Sequence, residues 1–168
     1  MDTAGSTFIP MRRKDRQITD ETAIRSILDK ANVLHLAMID GDRPYVVPLH
    51  YGYTLADGRL AFCLHSAKEG RKLDVLSKNN SVSFVLETDV IPIPGGDVPC
   101  GYGAAYASVM GEGTAAILTD PQEKMAALSI LMRTQTGRDF RFTPEMTDSV
   151  AVIRIDVDTY SAKVKPLT

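Results

Sequence analysis

The chain has 168 residues, 44% of them apolar, and a formal net charge of −2, which suits one compact domain with a sizeable core and excludes disorder along its whole length. Basic and acidic residues are interspersed, so the sequence lacks the concentrated Lys/Arg surface that binding to duplex nucleic acid demands. No stretch approaches the length of a membrane span, residues 1–10 lack the basic start and apolar run of a signal peptide, and the cytoplasm is the expected compartment.

In chain order, residues 1–10 are small and polar apart from Phe8 and Ile9 and read as a loose arm before the basic cluster MRRKDR at 11–16. A helix follows. Thr19 or Asp20 can cap it, Glu21 suits its positive end, and Ile24, Ile27, Leu28 and Ala31 form one apolar stripe for packing on a sheet. Residues 33–39 are aliphatic and β-branched, the turn signal Asp40-Gly41-Asp42 comes next, and residues 45–53 resume an extended pattern, which predicts a hairpin. Asp57-Gly58 then divides that strand from another at 59–64.

Residues 67–76 carry helix formers with Leu73 and Leu76 on one face, and Asn79-Asn80 stops them before a strand at 81–86. Residues 90–99 hold three prolines and two glycines and read as a loop. The alternation over 105–118, interrupted by Gly111 and Gly113, predicts a bent or bulged strand. Pro121 opens a helix whose stripe is Met125, Leu128, Ile130, Leu131 and Met132, and two strand-like runs at 150–155 and 159–164 close the chain. Hairpin-linked strands with inserted helices predict a single mainly β domain, a small antiparallel barrel.

Chemistry concentrates in HSAKEGRK at 65–72, where a strand gives way to a short helix. Free N–H groups at a helix start attract an anion, Ser66 adds a hydroxyl, and Arg71 offers a planar fork suited to phosphate oxygens. Charge-assisted hydrogen bonds contribute roughly 1.5–3 kcal/mol each, so two or three can hold a phosphate monoester without metal. The segment is neither a Walker loop nor a dinucleotide fingerprint, and by composition alone a solvated helix face is the competing reading. Cys63 and Cys100 have no CxxC or His-rich company, and the acidic residues show no metal-ligand spacing, so no metal is expected.

Together, MRRKDR at 11–16, YVVPLHYGY at 45–53, HSAKEGRKLDVL at 65–76 and YASVMGEG at 106–113 resemble the nitroimidazole-resistance branch of the pyridoxamine 5′-phosphate oxidase-like flavoproteins, in the family's order over residues 11–164. The resemblance implies a split β-barrel homodimer with a flavin mononucleotide (FMN) in each of two interface clefts. Ser66, Arg71 and Lys72 would hold the FMN phosphate, His65 and Ala67 would contribute from the same turn, and Val47, Pro48, Leu49 and His50 would run along the flavin ring. It also implies an FMN-dependent oxidoreductase that reduces a nitroaromatic or other electron-poor small molecule with a reduced nicotinamide donor. No Arg or His follows Arg154, unlike genuine pyridoxamine phosphate oxidases with their C-terminal substrate motif, so vitamin B6 oxidation is not expected.

His65, at the phosphate turn, is the first candidate for a polar group near flavin or substrate, and His50 the second, whereas His35 reads as a strand residue without a catalytic role. Arg12 and Arg13 form an exposed basic arm or place positive charge near the flavin or an anionic substrate, and Tyr106 and Ser108 either line the cleft from the partner subunit or form one face of a strand. Hydride transfer needs no protein nucleophile, because the cofactor performs the redox chemistry. A flavin-binding redox sensor without turnover is an alternative from another class, and a relative binding haem or a deazaflavin is a third.

Overall fold

The computed structural model describes residues 6–167. The first helix, α1 (Glu21–Lys30), forms as its stripe predicts: Asp20 accepts a hydrogen bond from the Ala23 N–H, and Ile24, Ile27 and Leu28 are buried. Strands β3 (Leu34–Asp40) and β4 (Arg43–Leu49) form the hairpin over Gly41, whose φ of +67° suits glycine. Strands β5 (Tyr51–Ala56) and β6 (Arg59–Ser66) form a second hairpin. After helix α2 (Arg71–Lys78) come β7 (Ser81–Ile93), β8 (Gly103–Leu118), helix α3 (Pro121–Thr136), the short helix α4 (Pro144–Thr147) and β9 (Ala151–Lys165). Two short N-terminal strands, β1 (Thr7–Phe8) and β2 (Gln17–Ile18), lie against β9.

One sheet contains all nine strands, in the order β4-β3-β7-β8-β9-β6-β5 along its main path. Every pair on that path is antiparallel. The two ends of this path, β4 and β5, are consecutive in the chain and separated by His50 alone. The sheet therefore has to curl until its ends meet, yet no ladder joins β4 to β5 among the described residues. This is the expected mainly β, helix-interrupted barrel, split at the β4–β5 junction.

The structure revises several boundaries. The extended run expected over 45–53 is two strands at opposite ends of the sheet. The runs expected at 150–155 and 159–164 are one strand, β9, whose register against β8 shifts between Glu112 and Gly113, at the glycines expected to bend the sheet. A Cβ on Gly111 would lie 2.2 Å from the Thr159 carbonyl oxygen, so only glycine fits that crossing. The expected loop at 90–99 begins later, because β7 runs through Pro92 to Ile93 after its own register shift beyond Thr88. Residues 6–9 are docked rather than loose: Ser6 Oγ donates to the Val157 carbonyl at 2.6 Å, and the Ile9 N–H donates to the Tyr160 carbonyl at 2.9 Å. The rest of the expected arm, residues 1–5, lies outside the described residues.

The core gathers under α1 and inside the curl. Tyr51, Phe62 and Phe84 meet edge to face, with ring centroids 5.5 and 4.8 Å apart. The Tyr51 hydroxyl lies 2.6 Å from the Leu28 carbonyl and 2.9 Å from the Ala31 carbonyl, tying β5 to the end of α1. On the other side α3 lies directly on β5. A Cβ on Gly52 would stand 2.3 Å from the Leu131 Cα. These contacts fix β5, and through β5 they fix His50 at the split.

Candidate functional site

The start of α2 differs from the other α-helix starts. Asp20, Asp120 and Thr143 each accept a hydrogen bond from a first-turn N–H of α1, α3 and α4, whereas Gly70, the cap of α2, has no side chain to do so. The first N–H groups of an α-helix have no partner inside the helix; in α2 the Leu73 N–H is taken up by the Gly70 carbonyl at 2.9 Å, whereas those of Arg71 and Lys72 have no capping side chain. Gly70 has a φ of +137°, a conformation L side chains rarely adopt, with open space where a Cβ would stand. The expected helix start at 67 is thus delayed to Arg71, because β6 continues to Ser66 and residues 67–70 form the bend between them.

Basic groups converge on this bend. The β5–β6 register pairs Tyr51 with Leu64, so His50 and His65 lie at the next opposing positions, one just outside β5 and the other still within β6. His65 is held below its ordinary pKa chiefly by burial, and further by the charges of His50 and Lys72. Burial likewise lowers Lys72. An anion is the electrostatic complement of such a group.

Arg71, at the first position of α2, is reached from the β3–β4 hairpin. Its Nε donates to the Asp40 carboxylate at 2.8 Å, and its guanidinium lies 4.2 Å from the centroid of the Tyr45 ring. Nε is therefore occupied, and the two Nη groups remain as the fork available to a ligand. Ser66 Oγ donates to the Ala67 carbonyl at 2.9 Å and so braces the bend in this conformation; donation to a ligand requires the hydroxyl to turn. Ala67 is exposed within the same bend.

The edge strand β4 supplies the second wall. Val47 and Leu49 turn half-buried toward the core, whereas Pro48 is exposed on the opposite face. Pro44 and Pro48 sit at even spacing on a strand paired only with β3, so their missing N–H groups fall on the free edge and break no ladder. The same alternation places the N–H and carbonyl of Val46 and the carbonyl of Pro48 on that edge. Cavities of about 230–510 Å³ open elsewhere on the described surface, and residues 47–50 and 65–72 line none of these. Pro48, His50, His65, Ala67, Gly70 and Arg71 are exposed on the one chain.

The other residues singled out in the sequence lie apart from this bend. His35 pairs with Pro48 and Val85 in register, and its Nδ1 lies 3.8 Å from a Glu87 carboxylate oxygen. Arg12, Arg13 and Tyr106 line a separate cavity, and Ser108 is buried. Cys63 is buried, which pushes its thiol up to about 11 and makes it unreactive, whereas Cys100 is exposed. No cluster of three or more metal-ligating side chains is present among the described residues.

Residues 20–164 match the family model described as pyridoxamine 5′-phosphate oxidase. The chain belongs to this family. No curated protein matched it. A solved structure of a candidate 5-nitroimidazole antibiotic resistance protein from Bacteroides thetaiotaomicron is 31% identical, covers 88% of this chain and 86% of its own, and superposes with a TM-score of 0.73. Two others show the fold at lower identity. The FAD and haem binding protein from Mycobacterium smegmatis is 16% identical over 89% of this chain and 73% of its own, with a TM-score of 0.72. A FAD-binding protein from Mesorhizobium loti is 21% identical over 88% and 96%, with a TM-score of 0.60.

In this pyridoxamine 5′-phosphate oxidase family member, sequence reasoning missed Asp40 and Tyr45, the partners of Arg71, and the capping role of Gly70. Asp40 read only as a turn signal and Tyr45 only as a strand residue. Their meeting with Arg71 depends on α2 docking beside the β3–β4 hairpin, which no local pattern records.

Proposed function

We propose that the chain is an FMN-binding oxidoreductase of the cytoplasm, working as a homodimer and reducing a nitroaromatic or other electron-poor small molecule with a reduced nicotinamide donor. The observation that carries this is the uncapped start of α2, where Gly70, Arg71 and Lys72 stand beside the His50–His65 pair. The donor set fits a phosphate monoester. It comprises two Nη groups of Arg71, the Lys72 ammonium and the first N–H groups of a helix, with the Ser66 hydroxyl within the same bend. Bound there, the flavin supplies the hydride chemistry. The chain's own part is to hold the phosphate, lay the free edge of β4 along the ring's polar rim, and offer His65 and His50 as polar groups that orient substrate or hold a proton. Family membership and the FAD named for two solved proteins of the same fold support a flavin as the cofactor.

On this reading a second copy of the chain encloses the ring, and the exposure of Pro48, His50, His65 and Arg71 on one chain supports it. The outward sheet face carries Ile39, Val46 and Met110 at 45%, 55% and 46% exposure, beside exposed Pro44 and Pro48, an apolar surface suited to burial. Titration with FMN and with riboflavin tests the assignment. FMN is expected to saturate at about one per subunit and riboflavin to bind more weakly; a folded sample without saturable FMN binding refutes it.

A further inference from the structure

A second concentration of positive charge lies at the far end of β9. A cavity of about 290 Å³ is lined by Met11, Arg12, Arg13, Arg16, Tyr106 and Lys163. Four of the six are cations, and one neighbouring carboxylate, Asp15, answers them. Arg13 uses its fork on that carboxylate, with Nε 2.8 Å from one oxygen and Nη2 2.6 Å from the other, and this pairing draws Asp15 down to about 2. Arg16 stands 3.9 Å from Asp15 without a hydrogen bond, and Arg12 and Lys163 make no ion pair among the described residues.

The N-terminal segment is pinned so that these groups face one another. Gln17 pairs with Lys163 across β2 and β9, the Gln17 side chain accepts the Met11 N–H at 3.1 Å, and the Arg16 N–H donates to the Arg13 carbonyl at 3.0 Å. Lys163 Nζ lies 5.1 Å from the Tyr106 ring centroid. The Tyr106 phenol is drawn below its usual range, chiefly by hydrogen bonding to Lys163, with Arg16 adding to it. Like charges held together in this way repel one another until an anion joins them.

The place is distinct from the bend at α2. His65 pairs with Val152 near the start of β9, and Lys163 lies eleven residues further along, toward the opposite end of the same strand. We propose that this cavity is an oxyanion site taking the phosphate monoester of a small ligand, held by Arg12, Arg16 and Lys163 with Tyr106 as a neutral donor. After Asp15 is counted, three positive charges remain, which match a phosphate monoester of about −1.5 to −2 better than a single carboxylate. A volume of about 290 Å³ falls just below the range of roughly 300–1,000 Å³ for drug-sized ligands, so the cavity takes a headgroup and not a whole dinucleotide.

Calorimetric titration with inorganic phosphate at low ionic strength tests the site. It is run in the Arg71→Ala background, which weakens the other proposed anion site. Saturable binding is expected to persist there and to weaken at least tenfold when Lys163→Met or Arg16→Gln is added. Absence of saturable binding in that background, or an affinity unchanged by both substitutions, overturns the proposal. Lys163→Met alone is expected to leave FMN affinity unaltered, so failure of this site and failure of the flavin assignment are told apart. Competition then identifies the source of the phosphate. Displacement by NADPH and not NADH assigns the site to the 2′-phosphate of a nicotinamide donor, and displacement by a sugar phosphate alone assigns it to a free phosphorylated compound. Displacement by neither overturns the ester assignment.

Discussion

Replacing Arg71 with alanine separates a phosphate ligand from a solvated helix residue. In the free protein little is expected to change. Arg71 is more than half exposed, its ion pair with Asp40 is of the surface kind worth about 0–1 kcal/mol, and its place over Tyr45 adds about 0.5–1 kcal/mol. Alanine's higher helix propensity offsets part of that. Binding is where the loss falls. With Nε committed to Asp40, the Nη groups supply one or two charge-assisted hydrogen bonds, and their removal costs roughly 1.5–3 kcal/mol, or about ten- to more than a hundredfold in affinity. The substitution also leaves the Asp40 carboxylate without its cation beside the phosphate, which places the expected loss toward the upper end. Fluorescence titration of wild type and Arg71→Ala with both FMN and riboflavin reads the difference. FMN is expected to lose at least tenfold and riboflavin far less. Unchanged FMN affinity refutes the phosphate role, and equal losses for both ligands indicate a disrupted cleft instead.

Because His65 has a folded pKa below its unfolded value near 6.5, the unfolded chain binds more protons there, and stability is expected to fall as pH drops below about 7 until the folded group also protonates. Urea midpoints at pH 7.5 and 5 are expected to differ less in His65→Asn than in wild type; an identical pH dependence removes His65 as the source. Gly52→Ala places a Cβ 2.3 Å from the Leu131 Cα, which α3 can relieve only by moving its backbone, so a loss of at least about 2 kcal/mol is expected from urea unfolding. An unchanged midpoint contradicts the α3–β5 packing. Light scattering at micromolar concentrations is expected to show a dimer for FMN-loaded protein, and a flavin-loaded monomer refutes the completed cleft.

The elements that rest on local physics are legible in the order of the residues. The α1 stripe of Ile24, Ile27, Leu28 and Ala31, the turns at Gly41 and Gly58, the proline start of α3 and the bend at Gly111 and Gly113 all lie where periodicity and turn chemistry place them. The motifs at 11–16, 45–53, 65–76 and 106–113 together also pointed to the family, because their residue types and order are themselves the signal. The place where the sheet splits is set by long-range strand pairing. An extended run over 45–53 has the same alternation whether it is one strand or two, and the break at His50 comes from β4 pairing with β3 while β5 pairs with β6 at the other end of the sheet. Long-range packing likewise set Asp40 and Tyr45 on Arg71, brought His50 beside His65 and Lys72, and seated residues 11–16 against Tyr106 and Lys163. Each of these joins residues far apart in the chain, and separations of that length leave no periodic trace, since contact between them depends on which strands pair and on how far the sheet curls.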